Sequence, residues 1–247
     1  MKNMNSKFNF FSFFYGVYAW FIFLICVIVA LFGAIILPSL KLRRAWVKKS
    51  AYSVFLLCRI KMDITGQENL PAGNALIVAN HASYLDGIIL HAVLPTKFTF
   101  VIKSEMQSVP IANFLFNRVG SRFVERFQPT GSFRDARKLI KAGADGEPLA
   151  IFPEGTFTEK PGLDRFRTGA FVTAIKSKMP LVPLVIKGSR KILPANKFLP
   201  NIGNLSIHIL EAINTHHKSF DSSKELKKLS RERILKVLDE PDLLQSE

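Results

Sequence analysis

Residues 75–86 read ALIVANHASYLD, an apolar run that leads directly into a polar segment with one histidine and one aspartate. The run Ala75–Ala79 has the length and composition of a buried strand. Ser83 and Asp86 have the spacing of a capping box, which predicts that a helix begins there. The sequence therefore places His81 in a turn at the carboxyl end of a strand, where open α/β sheets bind their ligands.

His81 and Asp86 are a candidate general base. On a regular helix they would lie about 140° apart, so they can meet only if His81 lies in the turn before the helix. A carboxylate bonded to one imidazole nitrogen fixes the tautomer and raises the basicity of the other. The alternative is that Asp86 only caps a helix and His81 is an ordinary turn residue. A metal site that includes His91 is disfavoured, because the two spacings do not converge on one ion.

Apolar runs elsewhere in the chain alternate with helical stretches, which predicts an α/β fold with a mostly parallel sheet and flanking helices. The further predicted strands are Phe98–Ile102, Leu149–Phe152, Leu181–Ile186 and Leu205–Leu210. Helices are predicted from Ser132 through Ile140, after Thr168 through Lys176, and as a charged amphipathic helix from Lys218 to Leu238.

The composition excludes several classes of protein. The chain has 247 residues, of which 48% are hydrophobic and 21% charged, so it is not a disordered chain. Its 2 cysteines exclude a disulfide scaffold and a cysteine-rich metal site. The net charge of +15 predicts a negatively charged partner, such as nucleic acid, an anionic membrane surface or a phosphorylated substrate.

The N-terminal segment from Phe8 to Leu40 contains no charged residue. A helix of that length would measure about 50 Å, whereas a bilayer core is about 30 Å thick. We expect either an interfacial part followed by a span or a helical hairpin that enters one leaflet. A cleaved signal peptide is the alternative, but the run exceeds the usual apolar region of such a peptide. The heavier basic cluster follows the segment, which predicts a cytoplasmic position for the rest of the chain.

These features divide the chain into two parts. Residues 1–50 are expected to form a membrane anchor with a basic flank. Residues 51–247 are expected to form the α/β domain, with the charged helix at its C-terminal end. Basic residues near an anionic surface favour membrane binding by about 1 kcal/mol each.

Two further segments carry candidate binding residues. Phe152–Thr156 reads FPEGT after a predicted strand, so Glu154 could hold a substrate hydroxyl and Gly155 allows close backbone approach. Gly120–Arg126 reads GSRFVER, and an arginine such as Arg126 suits bidentate phosphate binding. The alternatives are a plain turn glutamate and a surface ion pair.

The order of these segments resembles the glycerophospholipid acyltransferase family, of the 1-acylglycerol-3-phosphate acyltransferase type. The four matching blocks are His-x4-Asp, Gly-x-x-Phe-x-x-Arg, Phe-Pro-Glu-Gly-Thr and Val-Pro, and they extend from about Asn80 to Ile186. The resemblance implies that His81 is the general base and that Asp86 orients it. It implies that the acceptor is held by residues from four segments: Arg126, Glu154, Gly155, Thr156, Lys103 and Arg167.

The resemblance further implies an acyl thioester donor, carried by coenzyme A or acyl carrier protein, and no metal or redox cofactor. The acceptor would be the lysophospholipid 1-acylglycerol-3-phosphate, and the product would be phosphatidic acid. The expected location is the inner, cytoplasmic membrane, with the bilayer as a partner. No nucleic-acid-binding motif is present, so nucleic acid is not an expected partner.

One position departs from the family pattern. Many members have arginine after Glu-Gly-Thr, whereas this chain has Phe157. Arg165 or Arg167 could replace that charge, or the acceptor could be another lysophospholipid or glycerol-3-phosphate. A non-catalytic lipid-binding protein is a distant alternative, against which His81 and Asp86 argue.

Overall fold

A computed structural model describes residues 10–125, 129–215 and 222–244. Within these ranges the helices are α1 Phe10–Ile36, α2 Leu40–Leu57, α3 Leu85–Val93, α4 Pro110–Arg118, α5 Pro129–Ala144, α6 Gly169–Lys176, α7 Ser189–Ile192 and α8 Ser223–Leu235. The strands are β1 Lys61–Thr65, β2 Leu76–Ala79, β3 Thr99–Lys103, β4 Arg122–Val124, β5 Leu149–Ile151, β6 Leu181–Lys187 and β7 Asn204–Ile209.

The strands form one sheet in the order β1-β7-β6-β2-β5-β3-β4. All neighbouring pairs are parallel except β6 and β7, which are antiparallel. This confirms the predicted mostly parallel α/β fold, and each strand predicted from an apolar run lies within one residue of its expected bounds. The apolar runs did not predict β1, because this edge strand alternates exposed and half-buried residues and lacks a continuous apolar run.

Helices cover both faces of the sheet, and β2 shows why its sequence is apolar throughout. Ile77 contributes to the core that α1, α2 and α3 form with one face. Its neighbours Leu76 and Val78 contribute to the core that α5, α6 and α8 form with the other face. Because successive side chains of a strand point to opposite faces, a strand buried on both sides has no polar alternation.

The predicted start of α5 was wrong. Ser132 was expected to open this helix with Asp135, but the helix begins at Pro129. Proline suits the first turn of a helix, since the missing N–H would lack an intrahelical partner there. Asp135 is buried and accepts a hydrogen bond from the Glu125 backbone N–H at 2.7 Å instead. Helix α6 confirms its prediction, and part of the segment predicted for α8 lies outside the described residues.

Helices α1 and α2 form an antiparallel hairpin that turns at Pro38. The Tyr15 hydroxyl donates to the Cys58 carbonyl at 2.9 Å, and the Trp46 indole donates to the Val29 carbonyl at 2.7 Å. Helix α1 is continuous, so the expected change from an interfacial part to a span does not appear as a break. By length and composition α1 could cross a membrane. The proposed boundary at residue 50 falls within α2.

Helix α1 lies along the α/β domain and does not project from it. Its buried side consists mostly of small residues: Gly16, Ala19, Ile22, Cys26, Ala30, Gly33 and Ala34. Near its start, Trp20 donates to the Phe198 carbonyl at 2.6 Å. Near its end, the Ala34 carbonyl accepts from Arg118 Nε at 2.6 Å. The opposite side of α1 exposes large apolar residues, among them Phe10, Phe11, Phe14, Phe21, Leu24, Ile28, Phe32, Ile35 and Ile36.

Candidate active site

The sheet topology brings the two candidate segments together. Strands β2 and β5 are parallel neighbours, with Val78 beside Ile151. The connection after β2 runs past β5 to reach β3. The connection after β5 runs the other way, past β2, to reach β6. Connections that depart in opposite directions open a crevice at the carboxyl ends of the strands, where ligands of α/β sheets bind.

The carboxylate of Asp86 holds the imidazole of His81. Asp86 Oδ2 lies 2.9 Å from His81 Nδ1 and also accepts from the backbone N–H groups of Ala82 at 2.6 Å and Ser83 at 2.8 Å. Asp86 is fully buried. Because Asp86 Oδ2 already accepts from two backbone N–H groups, it also acts as the acceptor in its bond with His81, and Nδ1 is the protonated nitrogen. That tautomer leaves Nε2 as the basic nitrogen.

The expected capping box forms only in part. Asp86 accepts from the Ser83 N–H, as the motif requires. The Ser83 hydroxyl, however, accepts from the Leu85 N–H at 3.1 Å and donates to the Leu193 carbonyl at 2.8 Å. The sequence left open whether Asp86 only caps the helix or also contacts His81. In the structure the carboxylate does both, since it accepts from the Ser83 N–H at the start of α3 and bonds the His81 imidazole.

Glu154 holds the segment on which His81 lies. Its Oε1 accepts from the His81 backbone N–H at 2.6 Å, and its Oε2 accepts from the Asp164 N–H at 2.8 Å. Only 5% of Glu154 is exposed, and burial raises its pKa to about 8, against the two N–H groups that lower it. The structure thus gives Glu154 a positioning role, and its expected contact with the acceptor stays a prediction.

Gly155 lies where a side chain would not fit. Its φ of +83° is in the left-handed region, and an added Cβ would lie 2.7 Å from Arg167 Nε. The Arg167 N–H also donates to the Pro153 carbonyl at 2.8 Å. The buried Gly155 and the exposed Arg167 are therefore neighbours at the turn that follows β5.

Two of the remaining predicted binding residues, Lys103 and Thr156, also follow strands at the carboxyl ends of the sheet. Lys103 is exposed at the carboxyl end of β3, beside Val124 of β4. Thr156 is exposed in the turn after β5. Arg126 lies outside the described residues. The structure thus groups His81, Asp86, Glu154, Gly155 and Arg167 closely, and it places Lys103 two strands away from β2.

Sequence reasoning did not assign roles to three residues that support this site. The rings of Phe152 and Phe157 contact the His81 imidazole. Arg231 of α8 donates to the Leu163 carbonyl at 2.7 Å, and it also bonds the Asp164 carbonyl and the Asp242 carboxylate. Phe152 and Phe157 flank the Glu154 motif and could have been suspected. Arg231 gave no such signal, because Leu163 and Asp164 are 68 and 67 residues away from it in the sequence.

The chain is similar to known proteins in sequence and in fold. The sequence profile of the acyltransferase family matches residues 61–187. A chloroplastic 1-acyl-sn-glycerol-3-phosphate acyltransferase of Arabidopsis thaliana is 29% identical over 174 residues, which cover 69% of this chain and 47% of the relative. An enzyme of the same name from Saccharomyces cerevisiae is 27% identical, covering 75% of this chain and 62% of the relative. One from Borreliella burgdorferi is 26% identical, covering 81% and 79%.

The crystal structure of the 1-acyl-sn-glycerophosphate acyltransferase PlsC from Thermotoga maritima has a similar fold, with a TM-score of 0.75. It is 23% identical, and the match covers 90% of this chain and 92% of that one. The chain spans about half to three fifths of the length of the plant and yeast relatives. The matched profile includes β1 to β6 and all of the segments around His81 and Glu154. The chain therefore belongs to the acyltransferase family.

Proposed function

We propose that the protein transfers an acyl group from an acyl thioester to the free hydroxyl of 1-acylglycerol-3-phosphate, which yields phosphatidic acid. The observation that carries the proposal is the hydrogen bond between His81 Nδ1 and the buried Asp86, which leaves Nε2 as a base. Membership of the acyltransferase family supports the reaction class. The names of the relatives support the acceptor.

The proposed reaction needs one base. His81 Nε2 removes the proton of the acceptor hydroxyl as its oxygen attacks the thioester carbonyl, and Asp86 stabilises the imidazolium that forms. The tetrahedral intermediate then collapses, the carbon–sulfur bond breaks, and the imidazolium returns the proton to the thiolate. The products are an ester and a thiol, so atoms balance without a metal or redox cofactor. The thiol is coenzyme A or acyl carrier protein.

The acceptor headgroup is proposed to bind at the sheet edge that carries exposed basic residues. Arg167 lies against the turn after β5, Arg165 is exposed nearby, and Lys103 ends β3. Phe157 supplies no charge to this group. Another lysophospholipid or glycerol-3-phosphate is therefore the alternative acceptor.

Association with the inner membrane, with the α/β domain on its cytoplasmic side, is proposed to occur through α1. Its exposed side is apolar along its whole length, and α2 adds the exposed basic residues Lys41 and Lys49. Because α1 contacts the domain near both of its ends, we propose that the hairpin enters one leaflet rather than crossing the bilayer.

The test is a radiolabelled acyl-transfer assay with membranes that contain the wild type or the His81→Ala variant. It offers lysophosphatidate, other lysophospholipids and glycerol-3-phosphate, with acyl-coenzyme A and acyl carrier protein donors. We expect transfer to lysophosphatidate, reduced by about 10²–10⁴-fold in His81→Ala. The control is His208→Gln, which changes a histidine on β7 that bonds Thr65.

Each result has a defined meaning. Transfer to a different acceptor that depends on His81 would keep the mechanism and replace the acceptor. The absence of transfer to every acceptor, with folded protein, would reject the catalytic proposal and favour lipid binding without catalysis.

A further inference from the structure

The His81 imidazole has aromatic neighbours in addition to its bond with Asp86. The Phe152 ring is stacked on it, with centroids 4.2 Å apart and an interplanar angle of 15°. The Phe157 ring meets it edge to face, with centroids 4.6 Å apart and an angle of 62°. The two phenylalanines, both among the described residues, share no ring contact with each other, so they approach the imidazole from different directions.

Phe157 lies in a segment without regular secondary structure and is half-buried. A ring contact holds it there, since its centroid lies 4.7 Å from that of Tyr84 at 86°, an edge-to-face geometry. Tyr84 itself is 68% exposed and belongs to the same turn as His81. Phe157 therefore joins the turn after β5 to the turn after β2 directly beside the reactive side chain.

We propose that Phe157 is a positioning residue that holds the His81 imidazole in its reactive orientation. This inference rests on the proposed function, because it assigns Phe157 a task in the same reaction. Asp86 fixes the ring at Nδ1, while Phe152 and Phe157 restrict it from two further directions. The Nε2 edge, which has no hydrogen-bond partner among the described residues, is then the edge presented to an acceptor hydroxyl.

The need for such a contact follows from the side chain itself. The terminal torsion of histidine has a broad energy minimum, so a single hydrogen bond leaves the ring able to rock. A displacement of about 1 Å from the reactive geometry costs about 10²-fold in rate. A neighbouring ring that limits this motion would therefore act on kcat and would leave the binding of the acyl donor almost unchanged.

The chain offers a matched control. His91 on α3 also packs against a phenylalanine, since its ring centroid lies 3.8 Å from that of Phe100 on β3, with the rings tilted by 31°. His91 and Phe100 belong to no part of the proposed catalytic machinery. Phe157→Leu and Phe100→Leu therefore each remove a phenyl ring that contacts a histidine, and each keeps an apolar side chain of similar size.

The experiment measures steady-state acyl transfer by the full chain in detergent or membranes. We expect Phe157→Leu to lower kcat by about 10–100-fold, with an unchanged KM for the acyl donor. Phe157→Tyr keeps a ring and should retain most of the rate, and Phe100→Leu should keep the kcat of the wild type. An equal loss in the two leucine variants would show a general packing effect and overturn the proposal. So would an increase in the KM for the acceptor alone, since Phe157 would then be an acceptor contact.

A second measurement does not depend on activity and separates this proposal from the proposed function. Diethyl pyrocarbonate modifies accessible histidine nitrogens, and mass spectrometry reports the rate at His81 alone. We expect the rate at His81 to rise several-fold in Phe157→Leu and to stay unchanged in Phe100→Leu. An unchanged rate in Phe157→Leu would overturn the proposal even if the wild type transferred no acyl group.

Discussion

Among single residues, Asp86 combines an orienting and a structural role in one oxygen atom. Oδ2 accepts from His81 Nδ1 and from two backbone N–H groups, in a fully buried position. Asp86→Asn would keep the volume and remove the charge that, in the proposed reaction, stabilises the imidazolium. We expect kcat to fall by about 10²–10⁴-fold with the fold preserved, as measured by transfer assays and circular dichroism. Full activity in Asp86→Asn would contradict an orienting role.

The buried carboxyl group of Glu154 makes the folded state less stable as the pH rises, which is the opposite of what a carboxylate with a lowered pKa does. Burial raises its folded-state pKa from 4.5 to about 8, so the folded protein holds a proton that the unfolded chain releases in this range. Stability from this group is fully present below pH 4.5 and is lost as the pH rises to about 8. We expect denaturant unfolding to show the wild type losing stability relative to Glu154→Gln across this window. A difference that does not vary with pH would contradict the raised pKa.

Two of the residues at the site show what the sequence can predict. The sequence allowed His81 and Asp86 to meet if His81 lay in the turn before the helix, and the structure has Nδ1 and Oδ2 2.9 Å apart. The sequence identified Glu154 as a candidate site residue, but it did not predict the two backbone N–H groups that bond its carboxylate. The bond to the His81 N–H depends on two strands becoming neighbours, and the bond to the Asp164 N–H depends on a loop without a periodic pattern.

At the scale of elements, a close approach of α1 and α2 depends on Gly33. A Cβ added there would lie 2.1 Å from Trp46 Cδ1, and moving the indole would break its bond to the Val29 carbonyl. We expect Gly33→Ala to destabilise the protein by about 1–3 kcal/mol. The matched control is Gly87→Ala on α3, where an added Cβ meets nothing within 4 Å.

For Gly87→Ala we expect a gain in stability of up to about 1 kcal/mol, since alanine is the better helix former. Thermal unfolding of both variants in detergent checks the pair, and tryptophan fluorescence should report the displaced indole in Gly33→Ala. Equal melting temperatures for the two variants would show that the helices tolerate a wider spacing.

The sequence predicted the bounds of strands that are buried on both faces of the sheet better than it predicted the bounds of the helices. The central strands are continuous apolar runs because both faces of the sheet are covered, and that pattern gave their bounds closely. The start of α5 was missed because Asp135 uses its carboxylate on the Glu125 N–H, a contact that local spacing does not reveal. The N-terminal segment was predicted either as an interfacial part followed by a span or as a hairpin within the apolar run. The structure instead has one continuous helix α1 over Phe10–Ile36, which pairs with the basic helix α2 that follows the run. Its position in a membrane stays a prediction.

For the whole molecule, the exposed apolar surface continues from α1 onto the loop that contains Phe198. Phe198 is 88% exposed, and its carbonyl accepts the Trp20 indole N–H. Membrane insertion of a phenylalanine contributes about 1.5–3 kcal/mol. We therefore expect Phe198→Asp to weaken binding to phosphatidylglycerol-containing vesicles by tenfold or more in sedimentation assays.

The matched control for this prediction is Leu244→Asp, which changes an apolar residue that is 52% exposed beyond α8. It should bind vesicles like the wild type, apart from a small effect of its added charge. If both variants lose the same affinity, charge rather than insertion explains the loss at Phe198.

The bonds of Arg231 also have a consequence for the order of events during synthesis. Arg231, which is paired with the Asp242 carboxylate, donates to the carbonyls of Leu163 and Asp164. The Asp164 N–H in turn donates to Glu154, which accepts from the His81 N–H. A ribosome delivers β2 and the His81 turn long before it delivers α8. The growing chain therefore has its apolar helix α1 complete while the His81 turn still lacks the support of α8. The proposed attachment to the membrane can thus precede the proposed activity.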